Sequence, residues 1–202
     1  MPTNITIDQC ATWLKGIEAG VIDLTRDNES MAAACAAYLV ASPAPAPSDE
    51  LPPGFLTPNF TLQEMIASDT AAMKGINNTP NDDEIANLTE TCDLLEKIRT
   101  LCGNKPVVVS SGFRCKALNS AVGGASNSAH LYGCAADFTV SAFGSVYQTC
   151  KAIEPHLKEW GVDQLIYENG SWVHIGSAIP PGSPRAQCLT INGGSTLNGI
   201  VA

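Results

Sequence analysis

The stretch Cys134-Ala-Ala-Asp-Phe-Thr-Val140 places a carboxylate in the middle of an apolar run. Such a run reads as a buried strand, and an ionised carboxylate there is costly unless it is paired or bound to a metal. Whatever this chain folds into must bring a compensating group to Asp137. His130 stands at the end of the preceding Gly/Ser-rich loop, seven residues before Asp137. His174 lies in Trp-Val-His-Ile-Gly, alternating with Val173 and Ile175, so it faces the opposite side of its strand from them. The third histidine, His156, follows Pro155 beside Lys158 and Glu159 and reads as an ordinary solvated or capping residue.

Two imidazoles and a carboxylate converging on one point make a three-ligand site with an open fourth position, the arrangement of a catalytic rather than a structural zinc. The same donors also suit non-haem iron, but iron oxygenases of that type usually place the first two ligands at His-x-Asp spacing on one strand. Six residues separate His130 from Asp137, which favours zinc. The eight cysteines contain no C-x-x-C pair. A thiolate cage or redox dithiol is therefore not suggested, and the cysteines read as small buried apolar residues.

Eleven Lys and Arg against twenty Asp and Glu leave a net charge of −9, which argues against a nucleic-acid backbone or an anionic membrane surface as main partner. With 45% hydrophobic and 15% charged residues, the chain has enough apolar surface for one packed core. The longest apolar run, Met31 to Val40, covers ten residues, about half of the ~20 needed to cross a bilayer. Residues 1–30 carry two basic side chains against five acidic ones, unlike a secretory signal. The expectation is a protein made in a host cytoplasm and exported by another route.

Residues 41–57 concentrate proline with Ala and Ser, a linker composition. This divides the chain into a helical N-terminal segment (1–40), a Pro/Ala-rich linker (41–57) and a main domain (58–202). In the main domain, Thr61 and Glu64 open a short helix. A long helix is expected from Thr79-Pro80 to Gly103, with Ile85, Leu88, Cys92, Leu95 and Ile98 on one stripe. Val107–Val109 reads as a buried strand, Lys116–Val122 as a helical stretch, Ala135–Val140 as a strand and Ser145–Trp160 as a helix strained by Pro155. Val162–Tyr167 and Trp172–Ile175 read as strands joined through Asn169-Gly170, a strong hairpin signal. The fold class is α+β: a small, mostly antiparallel sheet flanked by helices, with the zinc site on the sheet.

Ser128-Ala-His130-Leu-Tyr-Gly133-Cys-Ala135-Ala-Asp137 fits the pattern Ser-x-His-x-x-Gly-x-Ala-x-Asp, and Trp172-Val-His174-Ile completes a recognisable signature. In these motifs the chain resembles peptidase family M15, the zinc D-Ala-D-Ala carboxypeptidases and endopeptidases. Ser111-Gly-Phe-Arg114, Leu118-Asn119, Val122-Gly-Gly124 and Asp163-Gln-Leu-Ile-Tyr-Glu168 resemble its bacteriophage-type branch, whose members cut peptidoglycan stem peptides. The resemblance covers about residues 58–178. It implies zinc ligands His130, Asp137 and His174, with Arg114 and Ser128 holding substrate. A guanidinium offers a planar fork to the carboxylates of stem peptides; Ser128 could equally cap a turn.

Many members of that family carry the general base three residues before the last histidine, where this chain has Ser171. The nearest upstream carboxylate is Glu168. A two-residue Asn169-Gly170 loop would pair Tyr167 with Trp172 and turn Glu168 away from His174; a three-residue loop pairs Glu168 with Trp172 and brings it to the metal face. The second register, with Glu168 as base, is the expectation, and Asp163 is the fallback. The resulting reading is a zinc peptidase of bacterial peptidoglycan, acting at the cell wall as an endolysin or virion-associated lysin. Residues 1–57 are a candidate attachment to a phage particle. The competing reading is a catalytically weak cell-wall-binding or structural virion module on the same scaffold.

Overall fold

The computed structural model describes residues 51–202, which form one compact unit. The expected helices within residues 1–40 and most of the linker lie outside the described residues. Phe55–Thr57 (β1) pairs antiparallel with Phe60–Thr61 (β2), and Thr57 and Asn59 both hydrogen bond to Glu96. Side-chain caps then start two short helices. Thr61 accepts from the Glu64 amide at Leu62–Ile66 (α1), and Ser68 accepts from the Ala71 amide at Asp69–Lys74 (α2).

The long helix runs over Asp82–Leu101 (α3), starting later than Thr79-Pro80 would suggest. Asn81 is the reason: its side chain accepts from the Glu84 amide while Glu84 accepts from the Asn81 amide, a reciprocal cap that Pro80 has no side chain to make. Leu88, Cys92, Leu95 and Ile98 form the fully buried stripe; Ile85, at the first turn, is only half-buried.

Val108–Ser111 (β3), Ala135–Thr139 (β4), Val162–Glu168 (β5), Trp172–Ser177 (β6), Gln187–Asn192 (β7) and Ser195–Asn198 (β8) form one sheet in the order β3-β4-β6-β5-β7-β8. Every pairing is antiparallel except β5 with β7. β3 is an edge strand, so the expected burial of Val107–Val109 holds only in part: Val107 is buried while Val108 is 56% exposed. The β7–β8 hairpin was not anticipated from the sequence. Lys116–Ala121 (α4) matches its expected stretch. The helix expected over Ser145–Trp160 is shorter, Val146–Ile153 (α5), followed by a 3-10 turn at Glu154–His156. Pro155 has no amide proton to continue the ladder, and its ring crowds the preceding turn.

The cross-strand register sorts side chains onto two faces. Ala136 and Phe138 of β4, Val173 and Ile175 of β6, and Leu165 of β5 share the face that packs with Leu95, Ile98 and Ile153 in one core. Each of the larger of these side chains contributes about 1.5–3 kcal/mol on leaving water. Asp137, His174, Ile166 and Glu168 fall on the other face. His130 reaches it from a 3-10 helix at Ala129–Tyr132, which ends on Gly133 in the left-handed region at φ +74°. A Cβ at Gly133 would also lie 2.4 Å from the Glu84 carbonyl oxygen of α3.

Gly133→Ala is accordingly expected to destabilise the fold by roughly 2–4 kcal/mol, combining backbone strain with the clash. A thermal melt should register this as a Tm lower by roughly 5–15 °C. An unchanged Tm would mean that the α3 contact is not close-packed.

Candidate metal centre

Asp137 and His174 are directly opposed across the β4–β6 ladder, so their side chains leave the sheet side by side. His130 is buried, and its Nδ1 donates to the Gly112 carbonyl at 2.6 Å. The Arg114 amide donates back to the His130 carbonyl at 3.0 Å. With Nδ1 used as the donor, the lone pair on Nε2 is turned towards the other two ligands. His130 Nε2 lies 3.2 Å from Asp137 Oδ1 and 3.2 Å from His174 Nδ1, while His174 Nδ1 lies 2.8 Å from Asp137 Oδ1.

Ligand atoms about 2.0–2.1 Å from a tetrahedral zinc lie roughly 3.3 Å from each other. The observed triangle is slightly tighter, and its chemistry fits: two imidazole nitrogens and a carboxylate oxygen face one point, close enough to share one cation. Two imidazoles and one carboxylate are a donor set that zinc takes with an open fourth position. His130, Asp137 and His174 thus form a candidate zinc site.

The surroundings lower the proton affinity of His130 and of Asp137. Burial pushes the His130 imidazole below its ordinary value, with the hydrogen bond to Asp137 opposing. Burial by itself would raise the Asp137 carboxyl, but hydrogen bonds with His130 and His174 outweigh it and hold the group well below the usual carboxylate range. The second oxygen, Oδ2, accepts from Arg114 Nη2 at 3.1 Å. That contact was not foreseen from the sequence, where Arg114 was read as a substrate group only.

The site opens into a cleft of about 840 Å³ that Arg114, Ser128, Glu168 and Asp163 also line. The hairpin has the three-residue loop Asn169-Gly170-Ser171, so Glu168 pairs with Trp172 and Ile166 with His174. Glu168 therefore shares the face of His174 as a diagonal neighbour, with Cβ atoms about 7 Å apart. Burial, reinforced by the Asp137 charge, raises the Glu168 carboxyl above its ordinary value. Asp163 is differently placed: Oδ1 accepts from the Arg185 amide at 3.0 Å and Nε at 2.9 Å, and Oδ2 accepts from Nη2 at 2.5 Å. The bonds to Arg185 hold its carboxyl below the usual range against some burial, which leaves it a weak base. Ser128 sits half-buried at the start of the 3-10 helix, and its hydroxyl makes no capping bond. His156 stacks on Trp160 with centroids 4.6 Å apart. The six cysteines among the described residues are free thiols; burial pushes those of Cys92 and Cys150 up to about 12.

Because the folded pKa of both His130 and Asp137 is depressed, the unfolded chain binds more protons at low pH and stability rises with pH. The metal-free protein should lose stability first as the pH falls below 6.5, where unfolded His130 protonates, and further below 3.8, where unfolded Asp137 does. Urea midpoints measured with chelator at pH 7.5, 5.5 and 3.5 check this. A flat midpoint between the first two would contradict a neutral, buried His130.

Residues 58–176 match the family model for Peptidase M15. A zinc D-Ala-D-Ala carboxypeptidase from Streptomyces albus G is 48% identical over 59 residues, which make up 29% of this chain and 23% of that protein. The chain thus spans less than a quarter of the length of the curated relative it matches. The family match covers more than half of the 202 residues and contains all three candidate ligands, so the chain belongs to the peptidase M15 family.

Proposed function

We propose that this chain is a zinc-dependent peptidase that hydrolyses peptide bonds in bacterial peptidoglycan stem peptides or their cross-links. The observation that carries this reading is the convergence of His130 Nε2, Asp137 Oδ1 and His174 Nδ1 on one point at the wall of an open cleft, with a raised-pKa carboxylate, Glu168, on the same sheet face. A zinc held there would lower the pKa of a water towards ~7 and polarise a carbonyl.

In this reading His130, Asp137 and His174 are the metal ligands. Glu168 takes a proton from the attacking water and returns it to the leaving amine, work suited to a carboxylate whose proton affinity burial raises above its ordinary value. Arg114 has two duties: it fixes Asp137 through Oδ2 and holds positive charge at the cleft wall, where a substrate carbonyl or carboxylate lies during attack. Ser128 offers its uncommitted hydroxyl to the substrate backbone. A D,D specificity is favoured by the relative that carries D-Ala-D-Ala carboxypeptidase in its name. The motifs of the bacteriophage-type branch favour a lysin, deployed as an endolysin or on a virion.

Incubation with purified peptidoglycan, followed by mass spectrometry of the released muropeptides, should show new peptide termini only in the zinc-loaded sample. No new termini in either the zinc-loaded or the chelator-treated sample would leave cell-wall binding as the function. Glu168→Gln should keep stoichiometric zinc and lose turnover by roughly 10²–10⁴-fold, whereas His174→Ala should lose the metal itself. Turnover near the wild-type value in Glu168→Gln would remove Glu168 as the base.

A further inference from the structure

The cleft extends well past the metal ligands, and its far wall is built from residues after position 176, where the family match ends. Leu189 and Ile191 of β7 line it, together with Arg185 from the β6–β7 connection. Among the described residues lining this cleft, Arg114 and Arg185 are the two with a permanent positive charge. They are not equally free. Arg114 is largely buried, with Nη2 on Asp137 and Nε buried without a partner. Arg185 is 59% exposed. Its backbone amide, Nε and Nη2 all bond to Asp163. A guanidinium has five N–H groups in a fixed plane. The side-on grip of Asp163 takes one from Nε and one from Nη2, so the end-on fork of Nη1 and Nη2 is directed away from Asp163. Asp163 weakens the net charge, but it holds the fork in one orientation, which lowers the entropy lost on binding.

Position along the strand sets what the fork meets. Ile166 pairs with His174. Glu168 lies two residues beyond Ile166, and Asp163 three residues before it, about 10 Å along β5 at ~3.3 Å per residue. The proposed base and the Arg185 clamp thus flank the metal on opposite sides.

Resting on the peptidase reading, we infer that Arg185, oriented by Asp163, is a specificity-determining subsite for a carboxylate two or three residues from the scissile bond. This is an interior or side-chain carboxylate of an anionic peptide, since the terminal carboxylate of a carboxypeptidase substrate adjoins the cut. A carboxylate meets the end-on fork in bidentate geometry.

Two synthetic stem peptides, identical except that the interior carboxylate is an acid in one and an amide in the other, test this on the full zinc-loaded chain. The wild type should prefer the acid by roughly tenfold in kcat/KM, expressed in KM. Arg185→Gln should bring the acid/amide ratio close to one, and Arg185→Lys should keep a reduced preference because a point charge lacks the fork. A variant that folds poorly depresses both peptides together and leaves the ratio intact. Equilibrium binding of the same two peptides to the Glu168→Gln protein reads the ratio without turnover, so loss of hydrolysis alone would count against the peptidase reading and not against this subsite. Equal affinity for acid and amide in the wild type, or an acid preference that survives Arg185→Gln, would overturn it.

Discussion

A carboxylate in a buried strand organises this molecule. Asp137 sits between Ala136 and Phe138, both fully buried, and its own desolvation opposes ionisation. Three groups answer that cost from three places in the chain. His174 comes from the next strand, His130 from a 3-10 helix and Arg114 from the segment after β3. The Ser110 hydroxyl donates to the Asp137 main-chain carbonyl. A one-residue slip of β4 against β6 would drive the carboxylate into the hydrophobic core and expose Phe138. The register of the sheet and the chemistry of the site therefore stabilise each other.

The same alternation separates stability from function. One face of the central strands is filled with Phe138, Val173, Ile175 and Leu165 against α3 and α5, and the other carries Asp137, His174 and Glu168 into the cleft. The helix side still acts on the site through backbone geometry. The Gly133 turn sits against the α3 backbone, and Gly112, whose missing Cβ would lie 2.3 Å from the Met65 carbonyl oxygen, presents its own carbonyl to His130. Close approach at these two glycines places the buried imidazole on a part of the chain outside the sheet. Within the cleft each guanidinium is matched to one aspartate, Arg114 to Asp137 and Arg185 to Asp163. These pairs leave Glu168 as a half-buried carboxylate with no salt bridge of its own among the described residues.

Local signals in the sequence were reliable where short-range physics decides. The Thr61 cap, the buried stripe of α3, the stop after α4 and the three-residue hairpin loop each depend on residues within about a turn of one another. Where expectation and structure part, a neighbouring or distant element is responsible. Asn81 competes successfully with Pro80 for the start of α3. Val108 is exposed on β3, which is an edge strand among the described residues. Pro155 ends α5 early, where the helical pattern continued towards Trp160. The parallel placement of β7 beside β5 has no local signature, because the connection from β6 must cross to the far side of the β5–β6 hairpin.

The sequence by itself determined the candidate ligand types, the strand alternation that turns His174 away from the core, and the family to which the chain belongs, since all of these are carried by residue identity at short spacing. Only the tertiary structure decided that Arg114 is paired with Asp137, that Asp163 is tied to Arg185, and that residues beyond 176 wall the cleft. Those facts depend on which side chains meet across separations of more than twenty residues. Such meetings are fixed by strand order and core packing, to which no single stretch of sequence points.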